Sequence, residues 1–137
     1  MSVRPKEKGD IALAYAIQHY LLSGYEVCLP VGDKRDYDLV IERDNVLERV
    51  QVKYAGFYPA KNKCLVGLRI TGGNQSYHYA KKYTDTAFDY LFVYTARGRS
   101  YSLPWSEVKA RSELSIENVK YNKYLTSSWD TQVVNEG

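Results

Sequence analysis

The stretch from Tyr37 to Tyr54 constrains this chain more than any other part of it. Residues 37–42 and 47–54 alternate apolar and polar side chains with a period of two. That is the pattern of strands with one buried face. Between them Arg43-Asp44-Asn45-Val46 forms a short polar link of the kind that closes a hairpin. A turn centred between Asp44 and Asn45 sets the register and places Asp38 directly across from Gln51. Cross-strand partners have Cβ atoms roughly 4.5–5.5 Å apart. Lys53, two residues beyond Gln51, points to the same face. An aspartate, an amide and an amine are thus expected together on one face of a hairpin whose other face is apolar.

On the residues alone, two readings of that face stand side by side. It is the solvated side of an antiparallel pair, or it is a compact site for phosphodiester hydrolysis. In the second reading the carboxylate holds a hard divalent cation, which polarises a phosphate and lowers the pKa of a bound water. The ammonium orients that water or neutralises developing charge. Asp36 is a rival cation ligand, and the hairpin arithmetic favours Asp38. Glu48 falls on the opposite face from Gln51 and Lys53 and is read as solvated or structural.

The length of 137 residues suits a single domain with a real core. Residues 1–10 read as a charged lead-in carrying Arg4, Lys6 and Lys8, and Asp10 as the cap of a helix over 11–22 that stops at Ser23-Gly24. A strand over 25–29 ends at Pro30, and 54–63 and 72–83 read as loops around a strand over 64–71. Residues 89–95 are almost continuously apolar, as in a strand buried on both faces. A turn over 96–99 leads to a strand over 100–103, and Pro104 opens a short helix in which Trp105 is a packing residue. Residues 112–137 are expected to be a polar C-terminal extension of the same domain.

The formal charge of +3 is compatible with a polyanionic partner. No segment is long and apolar enough to span a bilayer, and residues 1–10 lack the apolar core of a signal peptide. Cys28 and Cys64 have no metal-ligand spacing, and His19 and His78 are the only histidines, so both read as reduced core thiols of a cytoplasmic protein. The 72–83 stretch carries small residues that let a partner's backbone approach, and amides that can pair with adenine edges. Asn74, Gln75, Ser76 and His78 are the candidate base contacts there, with Lys81 and Lys82 as phosphate contacts. Arg69, and Arg97 and Arg99 at the turn tip, complete the candidate DNA-binding set. The plainer alternative is a surface loop with incidental amides.

At Asp38, Gln51 and Lys53 the chain resembles the PD-(D/E)xK nuclease superfamily, whose signature is an Asp at the start of one strand and (D/E)-x-K on the next. Glu-Lys-Gly-Asp before the helix, Tyr-Asp-Leu-Val, Arg-Val-Gln-Val-Lys-Tyr and Tyr-Ser-Leu-Pro-Trp are similar to bacterial homing endonucleases encoded in group I introns. The resemblance spans about residues 6 to 110. It implies an α/β (α+β) restriction-endonuclease-like core, a mixed central sheet flanked by helices. It further implies a site-specific, Mg²⁺-dependent endonuclease acting on double-stranded DNA, with Mn²⁺ or Ca²⁺ as substitutes for the ion. The implied metal ligands are Asp38, Gln51 and the carbonyl of Val52, with Lys53 on the attacking water and Glu7 as an auxiliary acid. A homodimer or homotetramer in the bacterial cytoplasm is implied as well. The chain departs from the pattern in having Tyr37 where Pro is usual and Gln51 where the second acid is usual. A Holliday-junction resolvase, an RNA-processing relative and a non-catalytic DNA-binding module of the same fold are the alternatives.

Overall fold

Pro5 lacks the N–H that a first helical residue leaves unpaired anyway, and it starts helix α1 (Pro5–Leu22). The computed structural model describes residues 4–32, 34–74 and 77–127, with the backbone alone for 70–81 and 127. Arg4 caps the helix with extended backbone, and Glu7 sits in the first turn, where the helix dipole favours an acid. The helix therefore begins well before residue 11. Asp10 is an exposed residue within it and not its cap. Apolar periodicity cannot reveal this start, because residues 4–10 present only charged and small side chains. The other end is as expected: Ser23 donates to the His19 carbonyl from both N and Oγ, and Gly24 takes a φ of 90°.

Ten strands follow among the described residues: β1 (Glu26–Cys28), β2 (Leu39–Arg43), β3 (Val46–Tyr58), β4 (Lys63–Gly67), β5 (Arg69–Asn74), β6 (Tyr77–Lys82), β7 (Tyr90–Thr95), β8 (Ser100–Pro104), β9 (Glu113–Ser115) and β10 (Leu125–Ser127). The main sheet runs β1-β2-β3-β7-β8-β10, with β4 on the far half of β3 and β9 on β4. β3 and β7 are parallel, and the other pairs are antiparallel. This is the mixed sheet that the resemblance implied, flanked among the described residues by one α-helix and short 3₁₀ turns. Asp44 and Asn45 take φ of 54° and 67°, the left-handed pair that a two-residue hairpin turn demands. They set the expected register, Arg43↔Val46 through Leu39↔Val50.

Ala12, Ala16 and Tyr20 form the buried stripe of α1, and Ala16 and Tyr20 pack on Leu39, Ile41, Val50 and Phe92. The other face of the sheet carries the larger core, in which Leu91, Val93, Tyr101 and Leu103 meet Val66, Leu68, Leu114, Ile116 and Tyr121. β3 and β7 are thus covered on both sides, which is why residues 90–95 read as one apolar run. Trp105 is buried in a short 3₁₀ turn, and its Nε1 donates to the Thr84 carbonyl at 3.0 Å.

Several expected boundaries move. β3 continues to Tyr58 and folds back on β4 through residues 59–62, so only those four form a loop. The expected strand over 64–71 breaks at Leu68, a fully buried residue whose N–H leaves the sheet for the Ser112 carbonyl. Residues 72–82, read as a loop, lie largely in a separate two-stranded ribbon, β5–β6. Residues 113–127, read as a polar extension, supply β9, β10 and the buried side chains of Leu114, Ile116 and Tyr121. So few apolar residues, so irregularly spaced, leave no period to read. Cys64 is buried as expected, whereas Cys28 is exposed on the edge strand β1. No helix among the described residues is long and apolar enough to cross a membrane.

Candidate active site

The β2–β3 ladder ends at Leu39↔Val50, one step short of the direct Asp38–Gln51 opposition that the sequence suggests. Asp38 donates its N–H to the Val50 carbonyl at 2.8 Å, and its carboxylate Oδ2 accepts the Val52 N–H at 2.8 Å. A side chain thereby takes a backbone bond at the end of the ladder and is held by it. Oδ1 accepts no hydrogen bond from the described residues. Neighbouring residues of a strand turn their backbone groups to opposite edges, so the Val52 carbonyl points to the same edge as its N–H, beside Asp38.

Gln51 and Lys53 share the β3 face opposite that of Val50, which packs toward α1. Gln51 is 9% exposed, and no described residue hydrogen-bonds its amide. Lys53 is half-buried, with Nζ 5.4 Å from the centroid of the Tyr83 ring. Burial raises the Asp38 pKa above the ordinary carboxylate value. The Val52 N–H and the Lys53 ammonium pull the other way without overcoming it. Asp36, the rival ligand, is exposed and outside any strand.

The raised Asp38 pKa makes a stability prediction. A carboxyl whose folded pKa lies above its unfolded value contributes stability at low pH, and this is lost as pH rises through the folded pKa. In chelator, Asp38→Asn keeps an acceptor for Val52 and removes the buried charge. It is expected to melt higher than the parent at pH 7, with the difference closing as pH falls through the carboxylate range. Thermal melts across that range check it, and a lower melting point for the variant at pH 7 contradicts it.

An open cleft of about 280 Å³ adjoins Asp38, lined by Leu13, Leu29, Pro30, Gly32, Arg35 and Tyr37. Arg35 is a residue that the sequence reading passed over, although Arg35-Asp36-Tyr37-Asp38 puts a guanidinium three residues from the carboxylate. Glu7, in the first turn of α1, has its Oε1 2.6 Å from an Arg4 guanidinium nitrogen. Arg69 Nε donates to Ser112 Oγ at 3.3 Å, at the foot of the ribbon. Arg97 stacks 4.7 Å from the Phe57 ring centroid and lies 3.6 Å from Glu117, while Arg99 is exposed. Lys82 is exposed at the end of β6. Asn74, His78 and Lys81 stand on the ribbon backbone, paired with Tyr77, Gly73 and Ile70 respectively. Gln75 and Ser76 lie outside the described residues.

Among the described residues, no group of three or more His, Cys, Asp or Glu side chains could hold a metal ion. The Asp38 carboxylate is held by Val52 at the end of the ladder, and Gln51, the residue before Val52 in β3, carries a neutral amide; carboxylate, amide and backbone carbonyl are all hard oxygen donors. That set suits a magnesium-like ion, which keeps several waters and takes one or two carboxylates with substrate phosphate.

A family model described as PD-(D/E)XK endonuclease matches residues 3–131. The structure of a bacterial homing endonuclease, I-Ssp6803I, superposes with a TM-score of 0.79 at 26% identity, covering 98% of this chain and 96% of that one. No curated protein sequence matches. PD-(D/E)XK nucleases generally use divalent metal ions, and the family acts on DNA. With a match over nearly its whole length and a ladder end of this composition, the chain belongs to the PD-(D/E)XK endonuclease family.

Proposed function

We propose that this protein is a site-specific endonuclease that hydrolyses both strands of duplex DNA with Mg²⁺, of the homing type encoded by group I introns. The observation that carries the reading is the Asp38 carboxylate, held on the Val52 N–H at the open end of the ladder within the field of Lys53. The superposition on a bacterial homing endonuclease over nearly the whole chain supports the narrower class. Asp38, Gln51 and the Val52 carbonyl are the residues to hold the ion, and Mn²⁺ or Ca²⁺ fits the same donors. Bound there, the ion polarises the phosphate and lowers the pKa of a water.

The chain's own groups do the rest. The Val52 N–H fixes one carboxylate oxygen and leaves the other to face the substrate side. Lys53 positions the attacking water and offsets negative charge developing on the phosphate. Arg35, on the cleft wall, is placed to meet a neighbouring phosphate. The β5–β6 ribbon is the element proposed to read DNA, since a two-stranded ribbon fits the major groove. Each chain has one such site, so cutting two strands calls for a homodimer or homotetramer about a two-fold axis. Incubation with Mg²⁺ and long DNA tests the proposal. Discrete fragments are expected, and retention of DNA with no cutting contradicts an enzyme.

One observation favours a second reading. Gln51 in place of an acid brings no negative charge and weakens cation binding, so the same fold could serve as a DNA-binding module without catalysis. The cutting assay with Mg²⁺ separates the two, and Gln51→Glu tests the donor set itself. If the amide sits at the ion, adding a negative charge there tightens Ca²⁺ binding to the DNA complex by roughly tenfold or more. Calorimetric titration reads that change, and an unaltered affinity places Gln51 away from the ion.

A further inference from the structure

We propose that Tyr83 is a positioning residue for Lys53, and that through it the β5–β6 ribbon is mechanically tied to the catalytic ammonium. The proposal rests on the nuclease reading above. Lys53 Nζ lies 5.4 Å from the centroid of the Tyr83 ring, within the range at which an ammonium is drawn to an aromatic face. No described carboxylate forms an ion pair with Lys53, whose charge is felt by Asp38 and whose ammonium faces the Tyr83 ring.

The ring itself is firmly set. Tyr83 is buried and meets Phe88 edge-on at 5.1 Å and Trp105 edge-on at 6.2 Å. Phe88 and Trp105 are in turn 4.5 Å apart, and the Arg111 guanidinium lies 4.2 Å from the Trp105 centroid. A lysine has four rotatable side-chain bonds, and such a shelf narrows where its ammonium can sit. Tyr83 is also the residue next after Lys82, the last of β6. At the foot of the other strand Leu68 is buried in the same core, with its N–H on the Ser112 carbonyl at 2.9 Å. Both legs of the ribbon therefore end in the core that carries the Lys53 shelf.

The first readout needs no variant. In the NMR spectrum of the wild-type protein, the Lys53 ε-methylene protons should be shifted upfield by the ring. Their appearance at an ordinary lysine position overturns the proposal. Tyr83→Phe should keep that shift and cut at the wild-type rate, because the ring face is retained. Tyr83→Leu and Tyr83→Met fill the space without a π-face. Each should lose the shift and lower the single-turnover cutting rate about tenfold, with DNA affinity in Ca²⁺ unchanged. A leucine variant that cuts normally, or a phenylalanine variant as slow as leucine, overturns it. Lys53→Ala in the same assay keeps the two levels apart. If that variant also cuts normally, the nuclease assignment itself fails; if it is inactive while Tyr83→Leu is normal, only the positioning role does.

Discussion

Asp38→Ala is expected to abolish DNA cutting while leaving DNA affinity nearly intact, and Lys53→Ala to do the same. Asp38 is the carboxylate held at the end of the β2–β3 ladder, and among the described residues no cluster of three or more potential metal ligands stands ready to replace it at a cation. Lys53 is the ammonium whose field reaches that carboxylate. Loss of a positioned acid–base or metal-binding group typically lowers a rate by about 10²–10⁴-fold, and for Asp38 the upper end is expected because the ion goes with it. Binding should survive, since the proposed DNA contacts lie on the ribbon and at the turn tip. Single-turnover cutting with Mg²⁺, beside a binding titration in Ca²⁺, reads both quantities. Wild-type cutting by either variant would mean that the site has been misassigned.

The second large effect concerns stability. Trp105→Ala removes a side chain that is 1% exposed, packed on Phe88 and Tyr83, and hydrogen-bonded to the Thr84 carbonyl. It also strips the aromatic partner from Arg111. Truncating a buried Trp to Ala costs about 3–5 kcal/mol, and a cost of that size lowers the melting temperature of a domain this long by about 10 °C or more. Urea denaturation measures the loss, and a change below about 1 kcal/mol would show that Trp105 is not central to the core. The prediction bears on function too, because the same ring backs the shelf beneath Lys53.

The hairpin was legible in the sequence for definite physical reasons. One buried face forces a period of two, and Asp44-Asn45 tolerates the left-handed backbone that a tight turn needs. Together they give the register to the residue as far as Leu39↔Val50. The last step was not legible, because it turns on a side chain: the Asp38 carboxylate takes the Val52 N–H, and the ladder stops short of Gln51. β7 announced itself by its apolar run, being covered by α1 on one side and the larger core on the other.

What the sequence concealed was of two kinds. Where apolar residues are sparse, as around Leu114, Ile116 and Tyr121, burial comes from tertiary packing and leaves no period. Where glycines cluster, as at Gly72-Gly73, composition signals a loop, yet the backbone pairs as a ribbon. Tyr83 carried no signal among so many tyrosines, and only the fold sets its ring beside Lys53.

The most direct measurement is crystallographic: soak Mn²⁺ into crystals of the protein bound to duplex DNA and collect anomalous data. The account predicts a peak in contact with the Asp38 carboxylate, the Gln51 amide oxygen and the Val52 carbonyl, with a DNA phosphate completing the shell and Lys53 beside it. No peak at the end of the β2–β3 ladder, or one held by other residues, would contradict it.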